Sequence, residues 1–451
     1  MVSVSLTPDS FDARVGTIIV GAGAAGLTTA LACEENCLVI EADPVPAGST
    51  ALSAGLIPAA GTRFQRDAGI DDDPARFARD IQDKAHGNND RSLVDAMAGT
   101  AGHAIEWLAD IGLPFSLVTD FDYPGHSRRR MHGLPSRSGR ELVDALRSAA
   151  ERQGIDILCG RRVDKVYWDE NRITGIGQVT GDRLGCDRLV LACNGFGGNR
   201  QMVAAHMPLI ADALWFGHDG NRGEAVQWGE ALGAATGQLG AYQGHGNVAH
   251  PHGILITWAV IMEGGIQVNA HGQRFWDETQ GYSEAARRVL AQPGGTVWTI
   301  FDARIARVAR QFEDFRQAEA QGAVRAASDL AELADVTGLT QDALGQTMDD
   351  LGRGAESFGR TSFGQGLNAP YCAVRVTGAL FHTQGGLLVE PHTARVRAKS
   401  GSVFDNLYAV GGAACGVSGA ADDGYLSGNG LLSAVTLGQI AGRHCKSEGA
   451  Q

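Results

Sequence analysis

The chain has 451 residues, 44% of them hydrophobic, with 38 basic and 51 acidic side chains and a formal net charge of −13. An acidic balance without a basic block argues against nucleic acid or an anionic membrane surface as the main partner, while this length supports two or three domains around a large core. No apolar run approaches the ~20 residues of a membrane helix, residues 1–10 lack the basic and apolar regions of an export signal, and the eight cysteines contain no CxxC, which reads as reduced thiols in a cytoplasmic protein.

The first organised text predicts a short buried strand at residues 17–20, a helix over 27–34 and a second strand at 38–40. Between the first two stands Gly21-Ala22-Gly23-Ala24-Ala25-Gly26. Gly21 permits the tight turn, Gly23 lets a pyrophosphate touch backbone, and Gly26 lets the helix lie on the strand. Glu41 then ends the second strand, where a carboxylate takes ribose hydroxyls. A dinucleotide cofactor follows from this combination.

Further on, 74–112 and 138–153 read as amphipathic helices. Strands are expected at 155–158, 162–166 and 188–192, the last running into Asn194, Gly195 and more glycine. Residues 241–381 change texture, mixing short strands (265–268, 297–301) with polar helices (303–321, 327–333, 341–351). They read as an inserted domain. Strand-and-glycine text returns at 385–389 and 407–410, before a closing helix near 431–444 and a loose tail. The expected fold class is α/β: a split, Rossmann-like dinucleotide-binding domain (1–240 and 382–451) with an inserted α+β capping domain (241–381).

The chain resembles the flavoprotein family of fumarate reductases, succinate dehydrogenases and 3-ketosteroid dehydrogenases, which implies that the split domain is a Rossmann-like FAD-binding domain of the GR2 type. The resemblance rests on the fingerprint, on Gly48-Ser49-Thr50-Ala51-Leu52-Ser53-Ala54-Gly55, on residues 191–199, on 268–278, and on His382-Thr383-Gln384-Gly385-Gly386 and 407–412. It implies FAD held by Gly21, Gly23, Ala24, Ala25, Gly26, Glu41, Ala42, Gly48, Ser49, Thr50, Ser53, Ala54, Gly55, Val163, Asn194, Gly195, Gly411, Gly412, Asn429, Gly430 and Leu431. No histidine lies between Glu41 and Thr62, so the flavin is expected to be non-covalent. No second GxGxxG exists, so electrons are expected to reach an external acceptor: oxygen, a quinone or another protein. Cys33 and Cys37 read as packed thiols.

A fumarate-reducing site of this family implies an arginine four residues after Glu278, an acid–arginine relay upstream and an arginine near the C-terminal glycines. Those positions read Tyr282, Trp258, Ile261 and Tyr425. Tyrosine in the first place is similar to the 3-ketosteroid dehydrogenase and 4-oxocyclohexanecarboxylate desaturase branch. The resemblance then implies α,β-desaturation of a small cyclic ketone. Tyr282 takes the α proton, hydride goes to flavin N5, and Tyr425 with a backbone N–H of the 428–430 turn holds the ketone oxygen. His382 and His245 match two family histidines. The competing readings are a reductase of an activated C=C bond and an FAD subunit of an electron-transfer complex. Tyr282 and Tyr425 also admit a packing role. Arg274 and Glu278 read as structural. Arg128-Arg129-Arg130 reads as a solvated charge run or as the partner of an acidic substrate. His250 and His252 near His245 lack the cysteines or paired acids of a metal site.

Overall fold

The apolar text before the first glycine forms the strand Ala13–Val20, buried over its last five residues. It pairs in parallel with Cys37–Ile40 on one side and Arg183–Leu191 on the other. Such strands are covered on both faces, which is why they read as continuous apolar runs. In this computed structural model, which describes residues 2–34, 36–119, 122–170, 172–352, 358–360 and 366–449, these strands centre a sheet of nine. Asp156–Leu158 extends it in parallel beyond Cys37–Ile40. Beyond Arg183–Leu191 come Arg172–Gln178 and Val163–Asp169, both antiparallel, and then Ser3–Leu6. The C-terminal strand Val403–Ala409 also pairs with Arg183–Leu191, so the two ends of the chain build one sheet.

The helix Ala24–Cys33 is small and apolar all round, and all ten residues are buried. The closing helix Asn429–Gly449 lies against it with glycine at the contact. A Cβ on Gly442 would come within 2.4 Å of the Thr29 carbonyl, and one on Gly438 within 2.8 Å of that of Ala25. The loose tail expected from the sequence is helix to Gly449. Lys446 meets Glu34 at 2.6 Å, and Glu448 meets Arg188 and the Tyr408 hydroxyl; residues 450 and 451 lie outside the described residues.

By internal contact the chain divides into two units. One comprises Met1–Met207, Gly217–Tyr242 and His382–Gln451; the other comprises Pro208–Phe216 and Gln243–Phe381. The second is built on a seven-stranded sheet in the order Ile254–Leu255, Tyr242–Ala249, Tyr371–Thr383, Thr296–Asp302, Ile266–Val268. Leu214–Trp215 and Val324–Ala327 add to Tyr371–Thr383. Its core includes Ile256, Val260, Phe301, Phe315 and Val374.

Several elements differ from expectation for local reasons. The helix expected over 74–112 is two, Pro74–Lys84 and Arg91–Asp110, because Asp90 accepts the N–H groups of Ser92 and Leu93 and starts the second. Likewise 303–321 divides into Ala303–Ala309 and Glu313–Ala320. Residues 327–333 hold the end of a strand and then a helix capped by Asp329. Tyr242–Ala249 and Arg172–Gln178 are strands whose internal glycines hid them.

Candidate active site

The glycine fingerprint expected from the sequence follows the strand Ala13–Val20 at the centre of the nine-stranded sheet. Gly26 is required by close approach, since a Cβ there would stand 1.8 Å from the Gly21 carbonyl. Gly23 caps the helix Ala24–Cys33 with no side-chain hydrogen bond, and the first turn holds no acid. The positive end of a buried helix is thus left for an anion. A Cβ on Gly23 would meet only the Thr50 hydroxyl, at 3.3 Å, and that hydroxyl accepts the Ala24 N–H at 3.0 Å. Glu41, 9% exposed, accepts the N–H groups of Ala22 and Asp43 at 2.7 and 2.9 Å. Each carboxylate oxygen keeps further acceptor capacity for ribose hydroxyls. Ala42 beside it is exposed.

The second glycine loop is gripped from below. Ser53 donates to the Thr50 carbonyl and accepts the Gly55 N–H, with the exposed Ala54 between them. Gly139 lies so close that a Cβ on it would overlap the Thr50 carbonyl. The Ser49 hydroxyl receives the amides of Asn194 and Asn221 at 2.9 and 2.8 Å. Asn194 also accepts the Gly195 N–H, and a Cβ on Gly412 would meet its oxygen at 2.1 Å. Gly411 touches Ala25 in the same way. Val163 is buried at the start of its strand; Gly430 and Leu431 stand in the first turn of the closing helix. This helix end without an acidic cap, with a shielded acid beside it and glycine approaches around it, fits the adenosine and pyrophosphate of FAD. Cys33 and Cys37 lie at the other end of the first helix, roughly 14 Å away. A hydrogen bond from Cys37 lowers the Cys33 thiol to about 7, and no disulfide joins the described cysteines.

At the C-terminal glycines the first unit gathers Tyr425 and His382, whose rings meet edge to face at 5.4 Å. Burial pushes the Tyr425 phenol up to about 12, although its oxygen accepts the N–H groups of Gly430 and Gly428. It therefore holds its proton at neutral pH and is a donor. Burial also pulls His382 down to about 4, so the ring is neutral. Its Nδ1 receives the Gln384 amide at 2.9 Å. A Cβ on Gly430 would stand 3.2 Å from its Nε2. Asn429 is fully buried and turns its amide to the Ser418 hydroxyl.

Arg130 is not part of a solvated run. It is 1% exposed, forked on Asp72 at 2.9 and 3.0 Å, and paired with Asp80. Burial raises the Asp80 carboxyl, but the Ser127 N–H and Arg130 outweigh it and hold the group below its usual range. Arg130 also donates to His126 Nδ1 at 3.3 Å, and His126 Nε2 donates to the Ser427 carbonyl at 2.9 Å. Arg128 and Arg129 are exposed, and Arg129 pairs with Asp122.

In the second unit His245 and Tyr282 stack at 5.2 Å and 16°. Phe381 stacks on His245 at 5.4 Å, and Phe216 on Phe381 at 4.8 Å. Trp258 stands edge-on to His245, and its buried indole N–H has no hydrogen-bond partner among the described residues. Burial lowers His245 to about 3, and its Nδ1 accepts the Asn247 N–H. Tyr282 is the first residue of the helix Tyr282–Leu290; Gly281, at φ 140°, makes the turn that a side chain would strain. That turn is anchored by Glu278, fully buried, which takes Arg274 through two contacts of 2.9 and 2.6 Å and Arg360 at 3.3 Å. Arg360 lies far along the chain and was not legible in the sequence; Arg274, four residues from Glu278, was. His250 and His252 are exposed, and no metal-binding group of three is present among the described residues.

Comparison with known proteins points to FAD as well. Residues 16–431 match the family described as FAD binding domain. The chain is 31% identical over 443 residues to a probable fumarate reductase of Shewanella frigidimarina, covering 94% of this chain and 74% of that protein. The open conformation of a flavocytochrome c3 fumarate reductase superposes with a TM-score of 0.84 at 28% identity, covering 98% of this chain and 80% of the other. A 3-ketosteroid-Δ4-(5α)-dehydrogenase from Rhodococcus jostii shares the fold with a TM-score of 0.79 at 23% identity, covering 98% of each chain.

Proposed function

The chain belongs to this FAD-binding family as an FAD-dependent oxidoreductase, and from that premise we propose that it desaturates a small cyclic ketone between its α and β carbons. FAD, held without a covalent link, would supply the two-electron acceptor. The observation that carries the reading is the disposition of charge. Arg274 and Arg360 are bound to Glu278, Arg130 is bound to Asp72 and Asp80, and His245 and His382 are neutral. A dicarboxylate calls for cations turned toward it. A ketone calls for donors to one oxygen and a base for one proton.

Tyr425 and His382 serve as the donors, each with a hydrogen to give at neutral pH. Tyr282, stacked on His245 at the start of its helix, is assigned the α proton. The faces of His245, Phe381 and Trp258 suit the apolar face of a ring. The electrons then leave to an external acceptor, oxygen, a quinone or another protein. A second reading, reduction of an activated C=C bond, is favoured by the likeness to the fumarate reductases. It uses the same bonds in reverse, with Tyr282 as proton donor.

Dye-linked turnover separates the two. The proposal expects steady reduction of a soluble dye with 4-oxocyclohexanecarboxylate, cyclohexanone or a 3-ketosteroid. Silence with every ketone, together with oxidation of chemically reduced enzyme by fumarate, would replace it by the reductase reading.

A further inference from the structure

We infer that Gln384 is a positioning residue that fixes His382 in the tautomer carrying its proton on Nε2, making that ring a hydrogen-bond donor. The inference rests on the reading of Tyr425 and His382 as donors to the substrate oxygen, and deepens it. Three buried groups and the half-buried His382, all of one unit, make a directed chain. The Asn429 amide donates to the Ser418 hydroxyl at 2.9 Å, and that hydroxyl donates to Gln384 Oε1 at 2.7 Å. Gln384 Nε2 then donates to His382 Nδ1 at 2.9 Å. A serine hydroxyl has one hydrogen. Because its oxygen receives Asn429, that hydrogen is sent to Gln384.

The orientation of the Gln384 amide is decided by a second contact. Its nitrogen is also 3.4 Å from the Thr383 carbonyl, so its two hydrogens fork between that oxygen and Nδ1. Turned over, the amide would set its own oxygen against a carbonyl. The Thr383 carbonyl also lies 3.4 Å from Nδ1 and is the competing acceptor for a proton there. At that distance it is weaker than the 2.9 Å amide. With Nδ1 occupied as an acceptor, the one ring proton of a neutral histidine belongs to Nε2. Among the described residues Nε2 has no hydrogen-bond partner, and it faces Gly430 beside the Tyr425 ring. Gln384 and Ser418 are 5% and 1% exposed, so water does not compete for these bonds.

The test is ring-nitrogen NMR of the holoenzyme labelled with 15N-histidine, with His382 assigned by its loss in His382→Asn. A pyridine-like Nδ1 and pyrrole-like Nε2 from pH 6 to 8 are expected; a pyrrole-like Nδ1 overturns the inference. In Gln384→Glu the side chain accepts instead of donating. The proton is expected to move to Nδ1, His382 to titrate near neutrality, and flavin reduction at saturating ketone to fall about tenfold or more with a new pH dependence. Unchanged nitrogen shifts and an unchanged pH profile in that variant also overturn it. Should the variant lose its flavin, the wild-type spectrum still decides. If no ketone reduces the flavin while the nitrogens read as expected, the positioning stands and the functional reading falls. If a ketone does reduce it while Nδ1 carries the proton, the functional reading stands and the positioning falls.

Discussion

Tyr282 and Tyr425 carry the same phenol in different surroundings. Tyr425 is buried, and desolvation holds its proton against two backbone donors. Tyr282 is half-buried at the start of a helix, stacked on a neutral imidazole. The first environment suits a donor and the second suits a group that exchanges its proton. Tyr282→Phe is expected to keep FAD bound but to slow flavin reduction by ketone on the order of 10²–10⁴-fold. A variant reduced as fast as wild type would remove Tyr282 from the reaction. Both tyrosines stand out in the sequence because each follows a recognisable motif at short range. Gln384 and Ser418 do not: their link spans 34 residues, and neither residue type is diagnostic alone. Arg130 was hidden in the same way, since a triplet of arginines reads as solvated until Asp72 and Asp80 are seen to enclose its last member.

Single elements hold these groups in place. Glu278, buried between Arg274 and Arg360, fixes the turn that presents Tyr282. Glu278→Gln leaves two buried guanidinium groups without their carboxylate. A loss of about 3–5 kcal/mol in the denaturant-unfolding free energy is expected; a loss under about 1 kcal/mol would show that the arginines find other partners. The closing helix depends on the absence of side chains where it crosses Ala24–Cys33. Gly442→Ala would force a methyl against the Thr29 carbonyl. It should destabilise the protein by about 1–3 kcal/mol, read as a lowered midpoint with FAD still bound. The glycine fingerprint was legible because close approach of backbone leaves no alternative to glycine. The length of the closing helix was not, because Lys446 and Glu448 are surface residues whose partners, Glu34, Arg188 and Tyr408, lie far along the chain.

Across the whole molecule four histidines, the buried His132 and His245 and the half-buried His126 and His382, are held neutral, chiefly by desolvation. Their folded values, about 3 to 4, lie below the ~6.5 of an unfolded histidine. As pH falls, the unfolded chain takes up these protons first. The contribution is therefore complete above about pH 6.5 and is lost on acidification toward pH 4. The melting temperature should be level near neutrality and drop steeply below about pH 6. His126→Asn should make that fall shallower by up to ~1.4 kcal/mol per pH unit. A melting temperature constant from pH 7 to 4.5 would contradict this. The architecture was readable at this scale because strand, glycine turn and helix recur with the spacing a dinucleotide imposes. What the sequence withheld is the pairing of charges, which depends on which distant segments meet.

The central claim is that a saturated cyclic ketone gives two electrons to this flavin. The most direct measurement is anaerobic titration of the oxidised holoenzyme with 4-oxocyclohexanecarboxylate and cyclohexanone, following the flavin absorbance and identifying the product. Stoichiometric bleaching with formation of the conjugated enone is the predicted result. A flavin that stays oxidised with every ketone, yet is reoxidised by fumarate once chemically reduced, would contradict the claim.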